Sequence, residues 1–240
     1  RCRGDDAIPG AADAVHRFRH AGLELVALTN NTRSRASEHA ARLAAAGIDI
    51  GAHQILTAGE ATARLLADLD GEASIFVAGS AALRNELLAA GLRESETPDY
   101  VVAGIDLDMT LARLAEAASH LNAGAQLIAC NPDRTLPVPG GIAPETGAVV
   151  AVLEAASDKT ARVVGKPNTQ IYETALQMIG LDRSSVMMVG DTPETDIIGA
   201  NAAGIRSAYI GDDNELPADS LAEPSLCVAD LSDLADRLLG

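Results

Sequence analysis

Residues 186–196 read VMMVGDTPETD, and this stretch does most to predict the fold. The apolar run 186–189 predicts a short buried strand, Gly190 permits a tight turn, and Asp191 follows directly. Thr192 and Pro193 are typical of the N-cap and the first residue of a helix, which places Asp196 in that helix's first turns. A carboxylate at a strand end suits a hard cation. The alternative is that both aspartates only favour a helix N-terminus.

The same alternation of strand and helix extends along most of the chain. Apolar runs predict strands at 24–28, 54–57, 74–78, 100–105, 126–130, 161–164, 186–189, 206–210 and 226–228. Amphipathic periodicity predicts helices at 33–46, 59–70, 81–90, 111–123, 146–156, 169–179, 193–203 and 231–239. The irregular, Pro- and Gly-rich segment 131–145 is expected to be a binding loop or an inter-domain passage. The pattern predicts an α/β fold with a doubly wound parallel sheet, whose ligands bind at the carboxyl ends of the strands.

Two further polar segments follow predicted strands. Thr29 ends the strand at 24–28 and, with Asn30 and Asn31, could bind a phosphate through its hydroxyl and the following backbone N–H groups. Lys166 follows the strand at 161–164 and would offset negative charge there. The alternatives are an ordinary Asn-rich turn and a solvated lysine. A P-loop is excluded, because Pro167 replaces its Ser or Thr.

Composition narrows the class of protein. A net charge of −16 opposes nucleic-acid and anionic-membrane partners. Hydrophobic residues make up 48% of the chain, enough for a packed core, and there is no apolar run long enough to span a membrane. The three scattered cysteines have no metal-binding spacing and indicate reduced thiols, hence a cytoplasmic protein. Acidic, Lys-poor composition is typical of a GC-rich genome or of salt adaptation.

Thr, Lys and Gly-Asp-x-x-x-x-Asp, each after a strand and in this order, resemble motifs II, III and IV of the haloacid-dehalogenase (HAD) superfamily of phosphatases. The stretches at 4–11, 28–31, 131–133, 164–167 and 189–203 extend the resemblance over essentially the whole chain. They resemble the NagD / p-nitrophenylphosphatase-type subfamily, type IIA. The resemblance implies a HAD-like Rossmannoid core with an inserted α/β cap domain of type C2.

The resemblance also implies the chemistry. Members are Mg²⁺-dependent phosphomonoesterases that form an aspartyl-phosphate. By resemblance Asp191 is a metal ligand and Asp196 supports the metal's water shell. Lys166 orients the nucleophile and stabilises the phosphoryl group, and Thr29 binds a phosphate oxygen with Asn30 and Asn31. The nucleophile and general acid/base of the family precede the Arg-Gly-Asp stretch, which here begins at Arg3, so both are expected upstream of residue 1.

The resemblance places the core at 1–72 and 163–240 and the cap at 73–162. Asn131, Asp133 and Arg134 are the candidates for cap contacts with substrate, the alternative being a polar turn around Pro132. The expected partner is a small phosphorylated metabolite: a sugar, glycerol, glycolate, nucleotide or aryl phosphate. Any homo-oligomer is expected to form through the cap.

One segment resembles the Asp-x-Asp-Gly-Thr/Val motif that carries the nucleophile and general acid/base of the family. Asp106-Leu107-Asp108-Met109-Thr110 follows an apolar strand, but Met109 stands in place of Gly and the segment comes after Thr29. The favoured interpretation is a strand end with Asp108 or Thr110 capping the next helix. Two alternatives for the whole chain stay open: a catalytically incompetent phosphate- or partner-binding module, and a flavodoxin-like or receiver-like fold with another ligand.

Overall fold

The computed structural model describes residues 8–69, 72–211, 216 and 220–240. The part of the family resemblance at residues 4–7 lies outside them. The strands are β1 (Ala27–Thr29), β2 (Ile55–Thr57), β3 (Ser74–Ala78), β4 (Arg93–Glu94), β5 (Tyr100–Ala103), β6 (Gln126–Ala129), β7 (Thr135–Val138), β8 (Gly141–Pro144), β9 (Arg162–Val163), β10 (Met187–Gly190), β11 (Arg206–Ile210) and β12 (Leu226–Val228). The helices are α1 (Ala11–His20), α2 (Ala36–Ala45), α3 (Ala58–Leu69), α4 (Ala81–Ala89), α5 (Leu111–Asn122), α6 (Thr146–Ser157), α7 (Thr169–Ile179), α8 (Ile198–Ala202) and α9 (Leu231–Leu239).

The chain divides into two compact units. The first comprises the described residues of Arg1–Leu28, Ala36–Leu56 and Lys166–Gly240, and the second comprises those of Thr29–Arg35 and Thr57–Gly165. This division follows contacts within the chain and differs from the predicted domain boundaries at 72/73 and 162/163. The helix α3 belongs to the second unit. The core and cap boundaries stay a prediction.

The second unit contains a five-stranded parallel sheet in the order β4-β3-β5-β6-β9. Its central strand β5 is buried along its whole length, as expected of a parallel strand covered on both faces. The helices α5 and α6 pack on this sheet through Ala117, Leu121 and Leu153, which fill the core together with Phe76 and Val101. Small and aliphatic side chains thus build the core of a chain that has only 2% aromatic residues.

In the first unit, β10, β11 and β12 form a parallel sheet with β11 in the middle. The helices α1 and α9 pack together over it, with Ala14, Phe18, Leu234 and Ala235 buried in one cluster. The strands β1 and β2 form a separate pair. The carboxyl end of β10 carries Asp191, as the sequence predicts.

The predicted α/β class with a parallel central sheet is confirmed, with four local differences. The helix α1 and the short strand β4 were not predicted. The segment 131–145 contains the antiparallel hairpin β7–β8, where the sequence predicted irregular chain. The predicted helix at 193–203 is a π-helical turn, Pro193–Ile197, followed by the short helix α8. Within the described part of the chain, each helix is too short or too polar to cross a membrane.

Candidate active site

In the first unit, the Asp196 side chain packs against the backbone of β10 at Gly190, the last residue of that strand. A Cβ atom at Gly190 would overlap the Asp196 side chain, so this close approach requires glycine. The backbone then passes through Asp191 and Thr192 into the π-helical turn at Pro193. π-Helical turns occur frequently at functional sites. The sequence predicted the turn at Gly190, but only the packing gives the reason for it.

Among the described residues of this unit, Lys166 and Asp196 form the most deeply buried ion pair. The Lys166 Nζ atom lies 2.7 Å from Asp196 Oδ1, and the two side chains are 14% and 7% exposed. The other carboxylate oxygen of Asp196 accepts a hydrogen bond from the Thr192 N–H at 3.2 Å. An ion pair removed from water needs such additional hydrogen bonds to offset desolvation. Both oxygens of Asp196 are therefore engaged by protein groups.

A buried tyrosine holds the same turn from its inner side. The Tyr172 hydroxyl lies 2.8 Å from the Thr195 carbonyl oxygen and 3.2 Å from that of Asp196, and donates its hydrogen to this pair. The side chain is 1% exposed, and burial, with the nearby Asp196 charge, raises the pKa of Tyr172. The hydroxyl is therefore a permanent donor. Sequence reasoning did not find this residue, because a tyrosine inside an amphipathic helix is indistinguishable from an ordinary core residue.

Asp191 is a carboxylate suited to a hard cation. It is partly exposed, and its Oδ1 atom accepts a hydrogen bond from the Thr192 hydroxyl at 3.3 Å. Among residues 8–69, 72–211, 216 and 220–240, no three His, Cys, Asp or Glu side chains are grouped to share a metal ion. Mg²⁺ needs fewer protein ligands than that, because it is usually held by one or two carboxylates, water and substrate phosphate. The oxygen chemistry of Asp191 fits it.

In the second unit, the segment 29–33, called here the 29–33 loop, is a compact polar turn. The Thr29 hydroxyl accepts a hydrogen bond from the Asn31 N–H at 3.1 Å, and the Asn31 amide oxygen accepts one from the Arg33 N–H at 2.8 Å. The loop thus has the geometry of the Asn-rich turn that the sequence offered as an alternative. The Thr29 hydroxyl still keeps its hydrogen for donation to a ligand oxygen.

Asn131 and Asp133 hold the 29–33 loop from the end of β6. The Asn131 side-chain amide donates to the Asn30 carbonyl oxygen at 2.8 Å, and the Asn30 amide donates to Asp133 Oδ2 at 3.1 Å. Asn131 also accepts the Asp133 N–H at 3.0 Å, and its side chain is fully buried. The sequence predicts that Asn131 and Asp133 contact the substrate. In the structure both are hydrogen-bonded to the 29–33 loop.

Arg134 differs from these two neighbours in being exposed. It borders a cavity of about 380 Å³ whose other walls include Ala129, Val150 and Val163. The cavity lies wholly in the second unit. Its lining is mainly apolar and includes one cationic side chain, Arg134, and one carboxylate, Glu154.

The predicted site residues thus form two groups, each coherent within its unit. Lys166, Asp191 and Asp196 share the end of β10 and the turn after it. The other group lies around the 29–33 loop and the end of β6, and consists of Thr29, Asn30, Asn31, Asn131, Asp133 and Arg134. In the segment 106–110, the Thr110 side chain caps α5 by accepting a hydrogen bond from the Arg113 N–H at 3.1 Å. This confirms the interpretation of that segment as a strand end followed by a helix cap.

Comparison with protein families agrees with this arrangement. A model described as haloacid dehalogenase-like hydrolase matches residues 2–93, and a HAD-hydrolase-like model matches residues 163–234. An acid sugar phosphatase from Staphylococcus haemolyticus is 32% identical over 209 residues, covering 86% of this chain and 80% of the relative. The chain belongs to the haloacid dehalogenase-like hydrolase family.

Solved structures define the branch of the family. A p-nitrophenyl phosphatase from Archaeoglobus fulgidus superposes with a TM-score of 0.90 at 28% identity, covering 96% of this chain and 92% of that one. A thermostable NPPase double mutant from Geobacillus stearothermophilus gives a TM-score of 0.89 at 30% identity, covering 94% and 92%. The chain is a NagD / p-nitrophenylphosphatase-type phosphatase, that is, a phosphoric monoester hydrolase.

Proposed function

We propose that this phosphatase depends on Mg²⁺ and hydrolyses small phosphomonoesters through an aspartyl-phosphate intermediate. Sugar phosphates are the first candidates because the curated relatives are acid sugar phosphatases. Glycerol, glycolate, nucleotide and aryl phosphates complete the proposed class. The observation that carries the proposal is the buried Lys166–Asp196 pair beside the carboxylate of Asp191.

Within that proposal, Asp191 holds the metal directly and Asp196 acts on it through water. Lys166 and the Thr192 N–H each donate a hydrogen bond to one oxygen of Asp196, an arrangement that favours contact with the metal through water. When bound, Mg²⁺ would offset the charge of the phosphoryl oxygens. Asp196 fixes the position of the Lys166 ammonium, whose positive charge would offset the charge of a phosphoryl oxygen or a carboxylate.

The 29–33 loop is proposed to bind the phosphate. Thr29 donates its hydroxyl hydrogen to a phosphate oxygen, and the backbone at Asn30 and Asn31 supports it. Fixing this loop before substrate arrives lowers the entropy lost on binding. Arg134, beside the cavity at the end of β6, is proposed to contact the leaving group, while Asn131 and Asp133 act mainly through Asn30.

The remaining expectations about partners are proposals of the same kind. Partners are small phosphorylated metabolites and not nucleic acid or membrane, as the net charge of −16 favours. A cytoplasmic location and self-association through the predicted cap at 73–162 complete the proposal. Size-exclusion chromatography with light scattering would test self-association directly.

A substrate panel tests the activity. The enzyme, expressed from its complete gene, is assayed on sugar, glycerol, glycolate, nucleotide and p-nitrophenyl phosphates, with Mg²⁺ and after EDTA treatment. Asp191→Asn is expected to abolish turnover almost completely, whereas Asp182→Asn, an exposed aspartate of the same unit, leaves it unchanged. Full activity of Asp191→Asn, or turnover that is indifferent to EDTA, would refute the metal assignment. Phosphate binding without turnover of any ester would favour the binding-module alternative.

A further inference from the structure

The 29–33 loop has a second attachment, at Thr32, that takes no part in the chemistry proposed above. The Ser80 hydroxyl lies 2.7 Å from the Thr32 carbonyl oxygen. Because a carbonyl oxygen only accepts hydrogen bonds, the Ser80 hydroxyl must be the donor. Thr32 is fully buried, and a buried acceptor that lacks a donor lowers stability. This hydrogen bond therefore holds the part of the loop that follows Asn31.

Ser80 is itself fixed by three further hydrogen bonds. It is the N-cap of α4, where its hydroxyl oxygen accepts the Leu83 N–H at 3.2 Å and its carbonyl oxygen accepts the Arg84 N–H at 3.0 Å. Its own N–H donates to the Ile105 carbonyl oxygen at 3.2 Å, just past the end of β5. The hydroxyl is thus engaged both as acceptor and as donor, so the direction in which it donates is determined.

Close packing at the ends of two strands brings Thr32 against this support. A Cβ atom at Gly104, just past β5, would overlap the Leu83 side chain and lie 3.1 Å from the Thr32 hydroxyl oxygen. A Cβ atom at Gly79, just past β3, would meet the same methyl group of Leu83. The two glycines leave the space that this packing needs. Among the described residues the Thr32 hydroxyl has no hydrogen-bond partner, so its side chain contributes packing and its carbonyl carries the polar contact.

The 29–33 loop is thus attached at two points within the same unit. Near its start it is held at Asn30 from the end of β6, and near its end Ser80 donates to Thr32. Asn31 lies between the two attachments, and its N–H donates to the Thr29 hydroxyl oxygen at 3.1 Å. The position of the Asn31 backbone, and with it the orientation of the Thr29 hydroxyl, therefore depends on both attachments.

We propose that Ser80 is a positioning residue for phosphate binding, acting through the Thr32 carbonyl on the 29–33 loop. The inference rests on the proposed role of that loop in binding phosphate. Ser80 acts through the backbone and is not proposed to touch the substrate. Its hydrogen bond restricts the positions open to Asn31, so that Thr29 is held in one orientation before phosphate arrives.

A matched pair of helix caps separates this role from a general effect on stability. Ser80→Ala and Thr110→Ala each remove the capping hydroxyl of a helix in the same unit, α4 and α5 respectively. The Thr110 hydroxyl accepts the Arg113 N–H of its own helix, so this variant is the control for loss of a cap alone. Thr110→Ala should lower Tm by about 2–4 °C. Ser80→Ala should lower it somewhat more, because the Thr32 carbonyl oxygen also loses its donor.

Kinetics on the enzyme expressed from its complete gene measure the positioning effect. Ser80→Ala is expected to raise KM for p-nitrophenyl phosphate, and Ki for inorganic phosphate, about tenfold, which corresponds to about 1.4 kcal/mol of binding free energy. The kcat should change less than about twofold, because a contact made equally with substrate and transition state affects KM alone. Thr110→Ala should keep the wild-type KM and Ki. Ser80→Thr retains a hydroxyl and should return KM to within about twofold of wild type.

Wild-type KM and Ki in Ser80→Ala would overturn the proposal. An equal rise of both constants in Thr110→Ala would also overturn it, as would a Ser80→Thr enzyme that binds phosphate as weakly as Ser80→Ala. If Ser80→Ala does not fold, Ser80→Gly replaces it, because glycine at an N-cap destabilises a helix far less than alanine. Wild-type constants in Ser80→Gly would contradict the proposal equally.

Thr29→Ala distinguishes this inference from the proposed function on which it rests. Raised KM and Ki in Thr29→Ala, together with wild-type values in Ser80→Ala, would refute only the role of Ser80. Wild-type constants in Thr29→Ala would refute the role of the loop, and the role of Ser80 with it. A wild-type enzyme that hydrolyses none of the esters and binds no inorganic phosphate would refute the proposed function itself.

Discussion

The Tyr172 hydroxyl gives the sharpest test of how the turn after β10 is held. Tyr172→Phe removes one oxygen atom and leaves the ring packed. The Thr195 and Asp196 carbonyl oxygens, at 2.8 and 3.2 Å from the hydroxyl, then lose their shared donor inside the protein. Leaving buried acceptors unsatisfied costs about 1–3 kcal/mol, so we expect a loss of about 2 kcal/mol in the free energy of unfolding.

That loss translates into a measurable fall in melting temperature. For a chain of this size 1 kcal/mol lowers Tm by about 2–4 °C, so Tyr172→Phe should melt about 4–8 °C below wild type. Because the same carbonyls belong to the turn that carries Asp196, kcat should fall as well, by up to about tenfold. Differential scanning calorimetry and steady-state kinetics on the complete enzyme measure the two effects.

The matched control is Tyr100→Phe in β5 of the second unit. Tyr100 is buried, and the part of the chain that the structure describes offers its hydroxyl no hydrogen-bond partner. This variant should melt within about 1 °C of wild type and keep its kcat. Equal Tm values for the two variants, or a Tyr172→Phe enzyme indistinguishable from wild type, would refute the reasoning that the hydroxyl holds the turn.

Three further predictions follow from individual contacts. Gly190→Ala forces a Cβ atom into the Asp196 side chain and should lower both Tm and kcat; an active, equally stable variant would show that the turn yields without cost. Burial, aided by the nearby Asp133 charge, raises the pKa of Glu145, so its contribution to stability is complete below about pH 4.5 and is lost as pH rises through the raised pKa. Urea titrations between pH 4 and 8 should therefore show wild type losing stability relative to Glu145→Gln as pH rises, and parallel curves would contradict this. Burial raises the pKa of Cys130 to about 12, so this thiol should resist iodoacetamide at pH 8 until the protein is unfolded; rapid labelling of the native enzyme would refute it.

Sequence patterns predicted best where a segment's structure depends on its own residues. The strand Ser74–Ala78, the helix Thr169–Ile179 and the strand Arg206–Ile210 have the predicted bounds. Each is a mainly apolar run or a clear amphipathic period, and each is directly followed by a glycine. The family resemblance succeeded for the same reason, since its motifs are short local segments in a fixed order.

The hairpin β7–β8 was not predicted from the sequence, because its two strands are hydrogen-bonded to each other and not to a larger sheet. Pro137 and Pro144 lie within it, and Pro139 and Gly140 form its turn, a composition that favours irregular chain when read locally. Prolines are tolerated here because a two-stranded ribbon leaves outward-facing N–H positions unpaired. The π-helical turn at Pro193–Ile197 was not predicted for a related reason. Its carbonyl oxygens at Thr195 and Asp196 accept hydrogen bonding from the Tyr172 hydroxyl, and Tyr172 lies about twenty residues earlier in the chain.

By itself the sequence determined the α/β class, the family, and which polar residues stand at strand ends, because strand, turn and cap preferences act over a few neighbouring residues. Only the tertiary structure determined which of those residues form ion pairs and hydrogen bonds with one another. It paired Lys166 with Asp196, engaged both oxygens of that carboxylate, and bound Asn131 to Asn30 across a hundred residues of chain. The physical reason is that desolvation and hydrogen-bond satisfaction depend on which groups meet when the chain is packed, and no local pattern encodes that meeting.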